Sequence, residues 1–557
     1  MNCKAEFKIG MNMAGAVSAG AYTAGVLDFL MEALEEWQAR KDALSAYLQN
    51  PVGPAPELVP MHDVKIEVFS GASAGGMCAA LAAVMVQQDF MHIRTAQERG
   101  TSNTFYEAWV NTIDIEPLLQ SNDLTNGKTL VSLLDCTIID TIAKSALTPG
   151  TPRQRPYISD HLALFLTLTN VRGIPYRLTG DPTATVDEFI AYYGDKIHFE
   201  ATIPGGRLRS AVAKPLPRGT PDTGAWPLLQ EAAKATGAVP LALAPRILTR
   251  DTADYTLPPW APLCTPSCAT TGPLPAPSFP IPPPTTIQTL NVDGGVTNNN
   301  PFQLAHDYLA IHNPKATDCR NPRPANEANC AVITVAPFPA NDQFNPDYKP
   351  ATCARLWPMI GKLITVLISQ SRFLGESLEV LTSGTSFSRF VIAPSDEVPP
   401  GVSALQCGSL GAFGGFFERG FRAHDYLLGR RNCQKFLKSH FCLPVNNPII
   451  GAGQSAAGIY AAAITRDFQV PPPTPAAAAA FGQVWIPLIP CVGTARPVVN
   501  RPARAQLASD RMDEIVDWIV DRLKTIRPQL LDGWCAGSAQ SHRMDRFSAR
   551  HSEHDQK

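Results

Sequence analysis

Val64-Lys65-Ile66-Glu67-Val68-Phe69, followed by Ser70-Gly71-Ala72-Ser73-Ala74-Gly75-Gly76, is the stretch from which the rest of the chain can be read. The apolar run has strand character, and a helical, alanine-rich stretch continues through Val86. Between them, from Gly71 to Gly75, lies G-x-S-x-G in the strand–turn–helix setting that displays a nucleophilic serine. Such a turn is tight and needs small neighbours, which Gly71, Ala72, Ala74, Gly75 and Gly76 supply. A helix starting at Ser73 also turns unpaired N–H groups and the positive end of its dipole toward developing negative charge. The same composition would serve a plain turn packing a helix on a sheet. A partner for the serine separates the two.

Leu290-Asn291-Val292-Asp293-Gly294-Gly295 offers that partner. Asp293 ends an apolar segment, a glycine turn follows, and Asn300-Pro301 suits the N-cap and first position of a new helix. A carboxylate at a strand end can reach a serine above the same sheet and take its proton; an ordinary Asp-Gly turn is the bland alternative. Near the N-terminus, Phe7 to Asn12 reads as a strand. Ala14 to Tyr22 is a small-residue turn leading into the helical Ala24 to Met31. That loop either aims backbone N–H groups at an oxyanion or simply lets a helix cross a strand closely.

Four ordered blocks now stand together: Gly15 to Leu27, Gly71 to Gly76, Ala235-Thr236-Gly237-Ala238-Val239-Pro240, and Asp293 to Pro301. In order and spacing they resemble the patatin-like phospholipases, and Phe421 to Arg430 is similar to a late segment of some bacterial members. The resemblance implies an α/β fold of three layers, α/β/α, with a mainly parallel central sheet. It also implies a Ser–Asp dyad without histidine, Ser73 as nucleophile and Asp293 as general base. The family's oxyanion loop usually reads G-G-G-x-K/R-G, whereas here it is Gly15-Ala16-Val17-Ser18-Ala19-Gly20. Ala16 and Val17 can still donate their amides beside Gly15, since only a positive φ demands glycine, but a β-branched Val17 tolerates that conformation badly. The departure bears on catalytic efficiency and not on fold.

Composition sets the outer bounds. The 557 residues are 45% hydrophobic and 17% charged, which fits a globular protein with a sizeable core, and a net charge of −2 without a dense basic run gives no reason to expect nucleic acid. The 51 prolines exceed the roughly 5% average and imply irregular insertions. They fall near 50–60 and in 257–284 of an expected 1–465 hydrolase domain. A proline/alanine-rich segment and C-terminal helix are expected over 466–535, and a disordered tail over 536–557. The uncharged stretch between Asp467 and Arg496 carries too many prolines for a spanning helix, and Met359 to Ile368 is too short to span. Met512, Ile515, Val516, Ile519, Val520, Leu523 and Ile526 recur at helical spacing among acidic residues, which favours core packing over an anionic membrane.

No secretory pattern stands out in Met1 to Glu6. Thirteen cysteines are scattered, and Cys264 and Cys268 read as loop residues because no second pair with metal-ligand spacing follows. The expectation is a reducing, cytoplasmic location with peripheral membrane contact, no metal and no cofactor. The leading function is a serine acyl hydrolase cleaving lipid esters through an acyl-enzyme. One alternative is an α/β-hydrolase with a Ser–Asp–His triad completed by His306, His312 or His424. The other is a non-catalytic lipid-binding protein on the same fold, supported by the altered oxyanion loop. Head group, chain length, regiochemistry and oligomeric state are not written in these motifs.

Overall fold

Strand β1 (Glu6–Met13) lies inside a nine-stranded sheet, paired in parallel with β2 (Asp63–Gly71) on one side and β8 (Cys330–Val335) on the other. The structure is a computed structural model that describes residues 5–96, 101–178, 188–221, 223–265, 274–338, 386–399, 402–408 and 410–552, with positions 350, 359, 366 and 371. The side chains at 126, 411 and 532–552 are excepted. Parts of the proline-rich 257–284 segment, Cys268 and most of Met359 to Ile368 lie outside the described residues. The parallel core continues through β3 (Ile158–Leu178) and β9 (Arg389–Ile392). Beyond it, β4 (Glu188–Thr202) and β7 (Thr286–Asp293) pair antiparallel with β3. Strand β5 (Lys214–Pro217) runs parallel to β4, and β6 (Arg246–Asp251) antiparallel to β7.

The alternation of side chains along the strands produces the layers. Val68 faces a core built with Phe165, Val332 and the helix Phe302–Ile311, whereas its neighbour Phe69 faces a core shared with α1 (Gly20–Gln49) and α2 (Ser73–Met85). Leu164 and Leu166 belong with the second core, and Phe165 between them with the first. A sheet buried on both faces reads as unbroken apolar sequence, and Cys-Ala-Val-Ile-Thr-Val of β8 is buried at every position. The mostly parallel sheet between helices gives the three-layer α/β/α architecture.

Helix α1 is clamped by the helix Arg419–Ser439, which contains the Phe421–Arg430 stretch. The two backbones touch: a Cβ on Gly25 would lie 1.9 Å from the Tyr426 carbonyl oxygen, and one on Gly429 2.1 Å from that of Tyr22. Arg430, buried in the same crossing, pairs with Asp28 and Glu32 of α1.

Three expectations need correction. Helix Phe302–Ile311 starts one residue late, with Pro301 at its N-cap, because the Asn300 side chain accepts a 2.5 Å hydrogen bond from Asn12 Nδ2 instead of capping. Cys264 is bonded to Cys319 in a disulfide, a partner that the reading of scattered loop cysteines did not supply. In the C-terminal helix Ser509–Ser552, Ile515 and Ile526 are buried, but Met512, Val516, Ile519, Val520 and Leu523 stay 37–51% exposed. The helix docks along the line of Ile515, Arg522 and Ile526, where Arg522 makes two hydrogen bonds to Asp123 of 2.6 and 2.7 Å. Its apolar arc is wider than that line, so one side of it stays uncovered. No helix among the described residues is long and apolar enough to cross a membrane.

The close crossing makes a stability prediction. Gly25→Ala should lower unfolding free energy by about 1–3 kcal/mol, the usual cost of overpacking. Gly451→Ala, which meets open space, should be neutral or slightly stabilising. Denaturant titration of both variants checks it, and equal stabilities would contradict the backbone contact.

Candidate active site

Ser73 is the first residue of α2 and sits at φ +53°, a left-handed conformation costly for any residue but glycine. The turn is held by close backbone packing: a Cβ on Gly75 would lie 2.2 Å from the Met13 carbonyl oxygen, and one on Gly71 2.5 Å from that of Gly75. The Ser73 N–H donates to Thr236 Oγ1 at 3.1 Å, and the Ser73 hydroxyl donates to Asp293 Oδ2 at 2.6 Å. Both side chains are buried.

Asp293 is fixed from three directions. Its Oδ1 accepts the Gly295 N–H at 2.6 Å, its own N–H donates to the Ala238 carbonyl, and its carbonyl accepts the Thr169 hydroxyl at 2.8 Å. Strand β3 brings the two residues together. Gly71 of β2 pairs with Leu166, and Asp293 of β7 pairs with Leu168. Burial pushes the Asp293 carboxyl up to about 6, partly offset by the hydrogen bonds from Ser73 and Gly295.

The small-residue loop divides into different roles. Gly15 is corrected as an oxyanion donor, because its N–H is already donated to the Asn299 carbonyl at 3.1 Å. It has to be glycine for space, since a Cβ there would lie 2.0 Å from Asn299 Oδ1 and 2.9 Å from Ser73 Cβ. Among the described residues, the amides of Ala16 and Val17 have no hydrogen-bond acceptor. Val17 stands at φ +47° despite its branched Cβ.

An apolar cleft opens from Ser73. Its walls come from α2 (Met77, Leu81), from Trp109 and Ile113, from the helix Thr137–Ala146 (Ile139, Ile142, Ala143, Ala146), and from Val17, Val239, Leu243 and Phe416. Among the described residues Lys234 is the only charged wall residue, and its ammonium pairs with Asp140 and Glu231. A long hydrocarbon chain fits such a surface, whereas a polar substrate would lose its hydration there.

The three histidines considered for a triad have other partners. His306 Nδ1 lies 3.3 Å and His424 Nδ1 2.8 Å from the neighbouring Asp307 and Asp425, and the His312 ring packs on the edge of Tyr308. Among the described residues no imidazole hydrogen-bonds to Ser73 or Asp293. Sequence reasoning missed Thr236, Thr169 and Asn12, which hold the site from behind. Asn12 Nδ2 donates to Asn300 and Thr334, and its Oδ1 accepts from Ser70. Asn12 carried a legible signal, since an amide inside an otherwise apolar central strand has to find partners. Thr236 lay within a noticed block, but nothing in its spacing assigns it a contact.

The three-layer α/β/α fold and the apolar cleft at Ser73 are in keeping with a lipid acyl hydrolase as the class. Residues 12–306, more than half of the chain, match the family model described as patatin-like phospholipase. The chain belongs to the patatin-like phospholipase family, and so to the lipid acyl hydrolases in general. The uncharacterized protein y4iI of Sinorhizobium fredii is 29% identical to it over 587 residues, which covers 95% of this chain and 76% of that protein. Among solved structures, VipD from Legionella pneumophila is similar over 76% of this chain and 71% of its own, with 10% identity and a TM-score of 0.23.

The raised Asp293 pKa makes a prediction about Ser73 reactivity. The base form predominates above about pH 6, so labelling of Ser73 by a fluorophosphonate should rise with pH through that value and level off above it. A half-maximum near pH 4, measured by quenched-flow labelling, would contradict the burial of Asp293.

Proposed function

We propose that this protein is a serine acyl hydrolase that cleaves lipid acyl esters through a Ser73–Asp293 dyad and an acyl-enzyme. The observation that carries this reading is the 2.6 Å hydrogen bond from Ser73, a wall residue of an apolar cleft, to the buried Asp293 carboxylate. Ser73 Oγ attacks the ester carbonyl carbon as its proton passes to Asp293 Oδ2. The oxyanion of the tetrahedral intermediate takes hydrogen bonds from the Ala16 and Val17 amides and the first turn of α2. Collapse expels the alcohol, which recovers the proton from Asp293. Asp293 then deprotonates a water that attacks the acyl-serine carbonyl; collapse breaks the bond to Ser73 Oγ, which recovers the proton from Asp293, and the fatty acid leaves. An aspartate in water, at a pKa of about 3.9, is a weak base; burial strengthens this one.

The rim of the cleft suits delivery from a lipid aggregate. Leu133 and Leu241 are both exposed, and the Leu133 N–H donates to the Leu241 carbonyl at 2.9 Å. Leu241 lies between Val239 and Leu243, which line the cleft. An apolar rim continuous with an acyl cleft lets a chain pass from lipid to Ser73 without crossing water.

Two experiments test this reading. Asp293→Asn should lower ester turnover by about 100-fold or more, as expected on losing a general base, and Ser73→Ala should abolish it. Histidine variants at 306, 312 and 424 that remain folded should retain activity. A folded His variant falling to the Ser73→Ala level would restore the triad.

The rim is tested with the pair Leu133→Gln and Leu241→Asn. Turnover on phospholipid vesicles should fall several-fold, while turnover on a monodisperse short-chain ester stays unchanged. Equal loss on both substrates would mean that these leucines support the fold and not lipid contact.

A further inference from the structure

Val17 is a β-branched residue held at φ +47° beside the nucleophile, a true outlier for its side-chain type. A triple glycine would take this conformation at no steric cost, but here the loop has only Gly15 and Gly20 at its ends. Such backbone strain persists only where surrounding structure over-determines it. Next to Val17 stands Ser18, whose side chain is held by a distant segment.

Ser18 is fully buried, and its hydroxyl donates to the Ala412 carbonyl and lies 3.5 Å from that of Cys407. Both carbonyls belong to the 405–417 segment, which lies outside the family-matched residues 12–306. This segment is itself tied down. The Asp425 carboxylate accepts the N–H groups of Gln406 and Cys407 at 2.8 and 2.9 Å. The Arg422 guanidinium donates to the carbonyls of Gly415 and Phe416 at 2.8 and 3.1 Å. Space is also closed, since a Cβ on Gly415 would lie 2.4 Å from Ser18 Oγ. The Phe421–Arg430 stretch, which has no part in the chemistry described so far, thus grips the loop that grips Ser18.

We infer that Ser18 is a positioning residue: through its bond to the 405–417 segment it keeps Val17 left-handed, so that the Ala16 and Val17 amides point at the oxyanion. The inference rests on the serine-hydrolase reading. An external hold replaces the intrinsic freedom of the missing glycines.

A double-mutant cycle tests it. The full-length wild type, Ser18→Ala, Val17→Gly and the double variant are compared on a soluble p-nitrophenyl acyl ester, with thermal melting to monitor the fold. Ser18→Ala should lower kcat by about 10- to 100-fold, within the range for losing an oxyanion donor, with KM changed by less than about 2-fold. In the Val17→Gly background the same substitution should cost less than about 3-fold, because glycine holds the conformation unaided. Gly415→Ala, which presses on Ser18 from the other side, should show the same loss and the same rescue even where Ser18→Ala does not fold. Equal losses in both backgrounds, or an active wild type matched by Ser18→Ala, would overturn the positioning role alone. A wild type inert to ester and to phosphonate would overturn the hydrolase reading together with it.

Discussion

Strand β3 carries β2 and β7 on the same edge from opposite directions, and the site depends on that arrangement. β4 occupies the other edge along most of the strand. β2 runs with β3 and ends at Gly71 opposite Leu166; β7 runs against it and ends at Asp293 opposite Leu168. Two residues of an extended strand span about 7 Å. The C-terminal ends of two strands, distant in sequence, therefore meet almost head to head, and the side chains just beyond them come into contact. Neither a long loop nor an induced closure is needed to bring Ser73 and Asp293 together.

That convergence leaves little room, and the residues around it answer to space before chemistry. Gly75 lets two backbones approach and Gly15 makes room for the Asn299 side chain, where any Cβ would collide, and Asn12 joins β1 to the neighbouring β2 and β8 through Ser70 and Thr334. Tight packing also excludes water from Asp293, which raises its pKa and strengthens it as a base. One constraint thus sets both the geometry of the Ser73–Asp293 pair and the raised pKa of Asp293.

Much of this could be read from the sequence because the signals are local. Apolar strand runs, the small residues around Ser73 and a carboxylate at a strand end are each short-range features of the chain. Contacts between distant segments could not be read in the same way. The Thr236 hydroxyl on the Ser73 amide, the Asn299 carbonyl that takes the Gly15 N–H, and the Ser18 bond to residue 412 each depend on a partner that no local pattern specifies. The C-terminal helix shows the limit of periodicity. Its apolar arc is genuine, yet Arg522 and its bonds to Asp123 decide which side docks. Likewise, spacing identified Cys264 as a loop residue but could not supply Cys319 as its partner.

The central claim is that the two strand ends create one nucleophile that carries the acyl group. Acid quenching during steady-state turnover of an activated acyl ester, followed by peptide mapping by mass spectrometry, tests it most directly. The account predicts a single added acyl group on the peptide containing Ser73. An acyl group on another residue, or rapid turnover with Ser73 never modified, would contradict it.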